Sequence, residues 1–400
     1  MKCAHELARP GASGVPWASA ALLWLAGNGL RLTILAVPPV LAMIRNDLHL
    51  NATEVGLLSS IPPGMFAVAA LAGSLLVAHL GVRVALIGGL ALVAIGSALR
   101  GISPHFPALL FATIVMSGGV AIMQPIMPAT VRQWMPARIG LGTAIYTNGL
   151  LVSEILAVLL TVPVILPLVG GSWRLSFVAW SVPIGLVALA VYVFAPHLPA
   201  PHPLKGAIPR KWLPEWRQGL VWRLGGVFGC VNAIYFTANA FIPIYLASKG
   251  HPDLIAGTLL ALNLGQLPAS LLLLIGAPRI ERRAWPYFAS GLLSLVSFVG
   301  IVCATGSATI AWAGVLGFSD ATALILALSL PALLNRSEDV ARTSAGAFTL
   351  SYGGAVIVAL ISGAAWDATA IPALAFVPPA LCAIGLAAVA AAMRKKTELR

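Results

Sequence analysis

Two parts of this 400-residue chain repeat each other at a constant spacing of 204 positions. Two arginines, two glycines, an asparagine and a proline of the first half recur in the second half at that spacing. The pairs are Arg132 and Arg336, Arg138 and Arg342, Gly142 and Gly346, Gly149 and Gly353, Asn28 and Asn232, and Pro39 and Pro243. A shared spacing over so many pairs indicates a duplicated unit, so the chain is expected to fold as two similar halves.

The duplicated unit is apolar along almost its whole length. Hydrophobic residues make up 59% of the chain and charged residues only 9%, whereas soluble domains have about 25% charged residues. Apolar stretches of about 20 residues, long enough to cross a bilayer core, recur throughout. Because lipid offers no hydrogen-bond partners to the backbone, these stretches must be helices. The sequence therefore predicts an all-α membrane protein with twelve transmembrane helices.

The twelve spans divide into two groups of six. The first half places spans near 17–44, 53–78, 82–101, 105–132, 140–168 and 174–195. The second half places them near 222–247, 254–277, 285–303, 308–333, 343–366 and 371–393. The segment between the halves is rich in proline and basic residues, which is typical of a surface linker. We expect an N-terminal six-helix bundle over 1–195, a cytoplasmic linker over 196–221 and a C-terminal six-helix bundle over 222–400.

The basic residues are distributed unevenly between the two sides of the membrane. Of the 24 Lys and Arg residues, one lies near the middle of a span, four lie in loops or at span ends on one side, and the other 19 lie on the opposite side with both termini. The four are Arg45, Arg100, Arg174 and Lys249. The positive-inside rule identifies the richer side as the cytoplasm. The net charge of +12 therefore reports membrane topology and argues against a nucleic-acid partner.

Arg31 is the basic residue within a span, near the middle of the first one. An arginine at the centre of a membrane helix costs about 2.5–3.5 kcal/mol on insertion scales, so its side chain must face protein or water. A guanidinium group suits a carboxylate or another small planar anion. Two interpretations follow. Arg31 binds an anionic substrate in a central cavity, or it forms a structural ion pair with a buried carboxylate, Glu154 or Asp320.

Other polar and aromatic residues are predicted to line the same cavity. Three asparagines lie on the Arg31 face of the first span or on the equivalent face of its repeat, and three tyrosines are candidate cavity residues. They are Asn28, Asn232, Asn239, Tyr146, Tyr235 and Tyr352. Tyr235 occupies the repeat position of Arg31. The two halves are thus expected to present hydrogen-bonding groups to one shared cavity.

Glu154 and Asp320 are the other charged residues predicted at mid-membrane depth. A carboxyl group buried there is a candidate for taking up and releasing a proton during transport. Neither residue is duplicated, because Val358 and Met116 occupy the equivalent positions. Each is therefore a candidate proton-coupling residue, and each is also a candidate partner of Arg31.

The sequence contains no motif for catalysis. A Walker A sequence, a GxSxG elbow, an HExxH pair and a clustered set of Cys and His are all absent. We therefore expect no enzyme activity, no cofactor and no bound metal. The lack of a nucleotide-binding motif also argues against an ATP-driven pump.

Several segments are similar to those of one transporter family. The most specific is PATVRQWMPARIGLGTAIYTNGL, which runs from Pro128 to Leu150. Others are the Asn28-Gly29-Leu30-Arg31 segment of the first span, Gly171-Ser172-Trp173-Arg174, and Trp366-Asp367-Ala368-Thr369. On these segments the chain resembles the major facilitator superfamily and, within it, the CynX/NimT family of cyanate and 2-nitroimidazole transporters.

The resemblance implies two pseudo-symmetric six-helix bundles and secondary active transport by alternating access. It implies a small anionic or polar planar substrate, such as cyanate, bound at Arg31. The alternative is export of neutral or cationic drug-like compounds, with Arg31 in a structural role. We expect a monomer in the bacterial inner membrane, with a small-molecule substrate, surrounding lipid and protons as the candidate coupling ion.

The resemblance extends to the loop between the second and third spans. Gly81 and Arg83 match the loop signature of the superfamily, although Ala78 stands where an aspartate is common. The duplicated arginines occupy the corresponding loops elsewhere in the chain. The predicted gating-loop residues are Gly81, Arg83, Arg132, Arg138, Arg336 and Arg342.

Overall fold

A computed structural model describes residues 16–50, 52–196, 212–281 and 283–397 of the chain. All regular elements in those ranges are helices. In the same ranges, 11 helical segments are long and apolar enough to cross a membrane. A shorter apolar helix at Pro372–Ala388 lies in the position expected for the twelfth span. The all-α, twelve-span architecture predicted from the sequence is thus the one that forms.

The first half begins with a span made of three short helices. These are α1 (Trp17–Asn28), α2 (Leu32–Leu35) and α3 (Leu41–Asp47), with a 3-10 turn at Pro38–Val40 between the last two. The following spans are α4 (Ala52–Leu80), α5 (Val82–Gly101), α6 (Phe106–Trp134) and α7 (Ile139–Leu160). A π-helical turn at Thr161–Ile165 and the short α8 (Leu166–Leu168) extend α7, and α9 (Trp173–Phe194) completes the half.

The second half repeats this order. Its spans are α10 (Gly219–Ser248), the pair α11 (Ile255–Leu264) and α12 (Gln266–Ile280), α13 (Trp285–Cys303), α14 (Ser307–Leu334), α15 (Val340–Thr369) and α16 (Val377–Thr397). Short 3-10 turns precede α11 at Pro252–Leu254 and α16 at Pro372–Phe376. α10 begins at Gly219, inside the predicted linker, and residues 197–211 of that linker lie outside the described residues. The division into two bundles and a linker at 196–221 stays a prediction.

The first span is interrupted, whereas the sequence predicts one continuous helix over 17–44. α1 ends at Asn28, and the helix resumes only at Leu32. Pro38 and Pro39 have no N–H group, so they cannot bond to the carbonyl groups four residues earlier. The carbonyl groups of Ile34 and Leu35 thus lose their regular helical donors, and α2 ends at Leu35. A similar interruption separates α11 from α12 at Gly265, which packs so closely on the backbone of Gly314 that a side chain would collide with it.

α1 packs directly on α7 through two glycines. Gly27 lies against the backbone of Tyr146, and Gly149 lies against the backbone of Trp24. A Cβ atom at either glycine would collide with the opposite helix. Small residues allow this approach of two membrane helices, whose association depends on close packing. The contact brings the first span, with Arg31, next to the helix that carries Glu154.

The sequence predicts Arg100 at the end of the third span, on the side of the membrane with fewer basic residues. Arg100 lies in the last turn of α5 and has the largest side chain among those that are fully buried. An arginine at the end of a membrane span is expected to extend toward the headgroups. The side chain instead turns back into the protein, where it contacts the first span.

Candidate anion site

Arg31 lies at the interruption between α1 and α2. Its backbone has φ −135° and ψ −29°, outside the helical region. The Arg31 carbonyl accepts hydrogen bonds from the N–H groups of Ile34 and Leu35, at 3.1 and 3.0 Å. The residue therefore ends one helical segment and begins the next. An unwound stretch at mid-membrane depth is tolerated only where it is buried in protein or lines a water-filled cavity.

Glu154 of α7 is the acidic partner of Arg31. The Nε atom of Arg31 lies 3.2 Å from Oε1 of Glu154, and each side chain keeps 13% of its surface exposed. Arg31 Nε has no aligned hydrogen-bond acceptor among the described residues. The contact is thus an ion pair with poor hydrogen-bond geometry. Of the two carboxylates that the sequence offers as partners, the structure pairs Arg31 with Glu154.

The guanidinium group of Arg31 lies over one aromatic ring, which belongs to a cluster of rings from both halves. The Cζ atom of Arg31 lies 5.5 Å from the ring centre of Phe66 in α4. Tyr352 of α15 lies near Arg31 and packs on Phe66 with 5.1 Å between ring centres. Phe236 packs on the same tyrosine at 6.0 Å. A cation on the face of an aromatic ring is stabilised electrostatically, so these rings favour a charged Arg31.

The second half contributes a polar network at the repeat position of Arg31. The hydroxyl group of Tyr235 donates to Oδ1 of Asn263 at 2.7 Å. Gln266 donates a longer hydrogen bond of 3.4 Å to the same oxygen atom. Asn239 donates to the carbonyl oxygen of Tyr235 at 3.0 Å. Tyr235 and Asn239 therefore lie together, and the break between α11 and α12 places Asn263 and Gln266 beside them.

Asp320 of α14 is buried without an acidic or basic partner among the described residues. It is 2% exposed, and its Oδ1 atom has no hydrogen-bond partner in the described part of the chain. The hydroxyl group of the neighbouring Ser319 forms a hydrogen bond of 2.9 Å with the hydroxyl group of Ser294. A buried charge without a partner is strongly disfavoured, so the neutral, protonated form of Asp320 suits this environment better.

Three further residues predicted to line the cavity are engaged in local packing. Asn28 donates to the carbonyl oxygen of Trp24 at 2.8 Å. Asn232 donates to Oγ of Ser351 at 2.6 Å. Tyr146 is buried in α7, at the contact with Gly27. The duplicated asparagines thus form hydrogen bonds within the protein, and their proposed contact with a substrate stays a prediction.

Two sets of hydrogen bonds join the halves, and both involve residues that the sequence reasoning missed. Asn148 of α7 accepts from Trp24 at 3.0 Å and donates to Ser270 of α12 at 3.1 Å. Gln124 of α6 donates to the hydroxyl group of Tyr352 at 3.0 Å. The spacing of 204 could have pointed to Asn148 and Ser270, because it relates Asn148 to Tyr352 and Ser270 to Phe66. The residue types differ at these positions, so a search for identical residues passes over them.

The predicted gating-loop residues lie at helix ends, away from Arg31. Gly81 has φ 82°, a conformation that favours glycine, at the start of α5. Arg83 donates to the carbonyl oxygen of Tyr192. Arg342 contacts Asp339 at 2.8 Å and Glu215 at 3.3 Å.

The other three arginines occupy the corresponding ends of neighbouring helices. Arg132 lies in the last turn of α6, Arg138 precedes α7, and Arg336 follows α14. The gating role of all these residues stays a prediction.

Comparison with known proteins identifies the family. The model of the Major Facilitator Superfamily matches residues 23–360. The chain belongs to the Major Facilitator Superfamily. It is 27% identical to the cyanate transport protein CynX of Escherichia coli (strain K12) over 320 residues, which cover 77% of this chain and 80% of CynX. It is 24% identical to the 2-nitroimidazole transporter of the same organism over 328 residues, which cover 79% of this chain and 80% of that protein.

A solved structure shares the fold. The superfamily transporter FucP in the outward conformation superposes with a TM-score of 0.72 and 16% identity, covering 94% of this chain and 98% of FucP. Superfamily membership and this fold confirm the predicted twelve-helix transporter architecture. The chain is therefore a multi-pass membrane protein for secondary transport of a small molecule, and it is not an enzyme.

Proposed function

We propose that this transporter moves a small monovalent anion, linear or planar like cyanate, by binding it at Arg31. The proposal includes alternating access in a bacterial inner membrane, a monomeric protein, and both termini in the cytoplasm. Tyr235 and Tyr352 would complete the binding site from the second half. The similarity to CynX supports a substrate of this kind, as do the cationic group and the aromatic rings around it.

The observation that carries the proposal is the accessible, poorly aligned ion pair between Arg31 and Glu154. Leaving a buried charge without its partner costs about 3–5 kcal/mol, so Arg31 needs an anion at every stage of transport. The Glu154 carboxylate fills that requirement when no substrate is bound. Because the two side chains remain partly exposed, an incoming anion can reach the guanidinium group and replace the carboxylate. A planar anion could then form the aligned hydrogen bonds that Glu154 does not form.

Protonation of Glu154 would make this exchange electrically balanced. A proton that binds the carboxylate removes its negative charge, and the substrate anion then becomes the partner of Arg31. One proton and one anion would thus enter the site together, and the charge of the buried region would stay unchanged. Asp320 is the second candidate for the coupling proton, because its carboxyl group is buried and has no partner among the described residues.

A second candidate function is export of a neutral, planar aromatic compound. The similarity to the 2-nitroimidazole transporter favours it, together with the rings of Phe66, Phe236 and Tyr352, which could stack on such a compound. In this case Arg31 and Glu154 would remain paired throughout transport. The two functions differ in whether the charge of Arg31 is needed for binding.

Uptake of [14C]cyanate into sealed proteoliposomes tests the proposal. We expect the wild type to accumulate cyanate, and Arg31→Gln to lose more than about 90% of the uptake, since one lost charged hydrogen bond already costs about tenfold. Arg174→Gln is the matched control, because Arg174 pairs with Asp47 at a helix end. Metronidazole uptake, measured in parallel, tests the second function. Equal cyanate uptake by Arg31→Gln and the wild type would refute the anion proposal.

A further inference from the structure

Arg100 is a second buried arginine that the proposed transport cycle does not use. Its side chain is 0% exposed, and its Cζ atom lies 4.3 Å from the ring centre of Phe177 in α9. No ion pair joins it to a carboxylate in the described part of the chain. Within that part, its Nε and Nη1 atoms also have no hydrogen-bond partner. A charge is rarely buried in this way without a specific purpose.

The one strong hydrogen bond of Arg100 reaches the interrupted first span. Its Nη2 atom donates to the carbonyl oxygen of Thr33 in α2 at 2.7 Å. In a regular helix this carbonyl group would accept from the N–H of Val37. That N–H instead bonds to the carbonyl oxygen of Ile34 at 3.2 Å, because the helix ahead of Pro38 tightens. Arg100 therefore satisfies a backbone acceptor that the interruption leaves free.

The same hydrogen bond fixes the backbone next to the anion site. Thr33 is two residues from Arg31, so their Cα atoms are at most about 7.6 Å apart. The Arg31 carbonyl is held by the N–H groups of Ile34 and Leu35, and these lie in the same short helix as Thr33. Any rotation of that helix would move the base of the Arg31 side chain. The position of the guanidinium group relative to Glu154 thus depends on the support that Arg100 gives.

We propose that Arg100 is a positioning residue for the anion site, acting through the Thr33 carbonyl. It holds the unwound part of the first span in the conformation that presents Arg31 to the substrate. Its uncompensated positive charge also makes this half of the protein more favourable for an anion. This inference rests on the proposed anion transport, and it adds a residue that does not contact the substrate. A supporting residue of this kind sets the precision of a binding site.

Two variants of Arg100 separate positioning from general stability. Arg100→Met removes the positive charge and the hydrogen bond to Thr33 at similar side-chain volume. Arg100→Lys keeps the positive charge and a hydrogen-bond donor, but it loses the planar group that contacts Phe177. Equilibrium binding of [14C]cyanate and of metronidazole to detergent-purified protein gives the readout. We expect Arg100→Met to weaken cyanate binding about tenfold or more, and Arg100→Lys to restore most of it. Metronidazole binding should change less than twofold in either variant.

Arg174→Met is the control, since this arginine also ties the first span to α9 but through Asp47, beyond the proline turn. It should bind both probes like the wild type. Equal weakening of both probes by the Arg100 variants, or no change in cyanate binding, would overturn the inference. If Arg100→Met does not purify as a folded protein, Arg100→Lys still decides, with an expected loss of about two- to fivefold for cyanate alone. Failure of the anion proposal itself would appear separately, as an absence of Arg31-dependent cyanate binding in the wild-type background.

Discussion

Asn148 and Tyr352 stand at equivalent positions of the two halves, and each forms a hydrogen bond with the opposite half. Asn148 donates to Ser270 at 3.1 Å, and Tyr352 accepts from Gln124 at 3.0 Å. Phe66 and Ser270, which contact them, are also related by the spacing of 204. The duplication has therefore kept a pair of cross-half contacts while changing the residues that form them.

The contact between Asn148 and Ser270 is expected to limit separation of α7 from α12. Ser270→Ala removes one buried hydrogen bond, worth about 0.5–1.5 kcal/mol, and should raise the population of separated conformations about two- to tenfold. Spin labels at Ala137 and Arg283, at neighbouring ends of these helices, would report this as a longer distance. Ser294→Ala is the control, because its contact with Ser319 lies within the second half. An unchanged distance distribution for Ser270→Ala would contradict this role.

Tyr352 is expected to connect the anion site with the contact between the halves. Tyr352→Phe keeps the ring against Phe66 but removes the hydroxyl group that accepts from Gln124. We expect cyanate binding to weaken about three- to tenfold, the effect of one hydrogen bond between uncharged groups. The control is Tyr245→Phe, whose hydroxyl group donates to Val302 within the second half at 3.0 Å. If both variants bind cyanate equally well, the hydroxyl group of Tyr352 has no part in binding.

Substitution of the two buried carboxyl groups tests proton coupling. Glu154→Gln removes the partner of Arg31, so the empty protein should lose up to about 3–5 kcal/mol of stability, while cyanate binds at least as tightly. Uptake by this variant should no longer respond to an imposed pH gradient. Asp320→Asn should uncouple uptake instead if Asp320 carries the proton. Glu338→Gln, in a loop, is the control. Gradient-driven uptake that persists in both membrane variants would exclude proton coupling through these residues.

The close packing of α1 on α7 makes a prediction about stability. Gly27→Ala places a methyl group against the backbone of Tyr146, which neither helix can avoid without moving apart. Overpacking of this kind costs about 1–3 kcal/mol, so the melting temperature in detergent should fall. Gly226→Ala is the matched control, since a Cβ atom there meets nothing within 4 Å. A Gly27→Ala protein as stable as this control would show that the backbone contact is not essential.

The sequence predicted the parts of the fold that depend on hydrophobicity and duplication. The hydropathy of the sequence reveals the twelve apolar spans, and it places Arg31 near the middle of the first one. An arginine at that depth must face protein or water, so a buried partner of Arg31 could be expected. The interruption of the first span was not predicted. Prolines are common in membrane helices, and only the packing of neighbouring helices decides whether one of them kinks a span or breaks it.

The environment of individual charges was harder to predict. The sequence places Arg100 at the end of the third span, where an arginine usually extends toward the headgroups. The Thr33 carbonyl that it contacts is free to accept because the helix tightens ahead of Pro38. The choice of Glu154 over Asp320 as the partner of Arg31 likewise depends on the packing of α1 on α7, through Gly27 and Gly149, which a single sequence does not reveal.

Cyanate-induced stabilisation of purified protein tests the role of Arg31 most directly. A ligand at about 100 times its dissociation constant stabilises a folded protein by roughly 2.7 kcal/mol, which appears as a raised melting temperature. The decisive variant is Arg31→Gln with Glu154→Gln, because it removes both charges and leaves neither unpaired. We expect cyanate, compared with chloride at equal concentration, to stabilise the wild type and to leave this double variant unchanged. Equal stabilisation of the two proteins would contradict an anion site at Arg31.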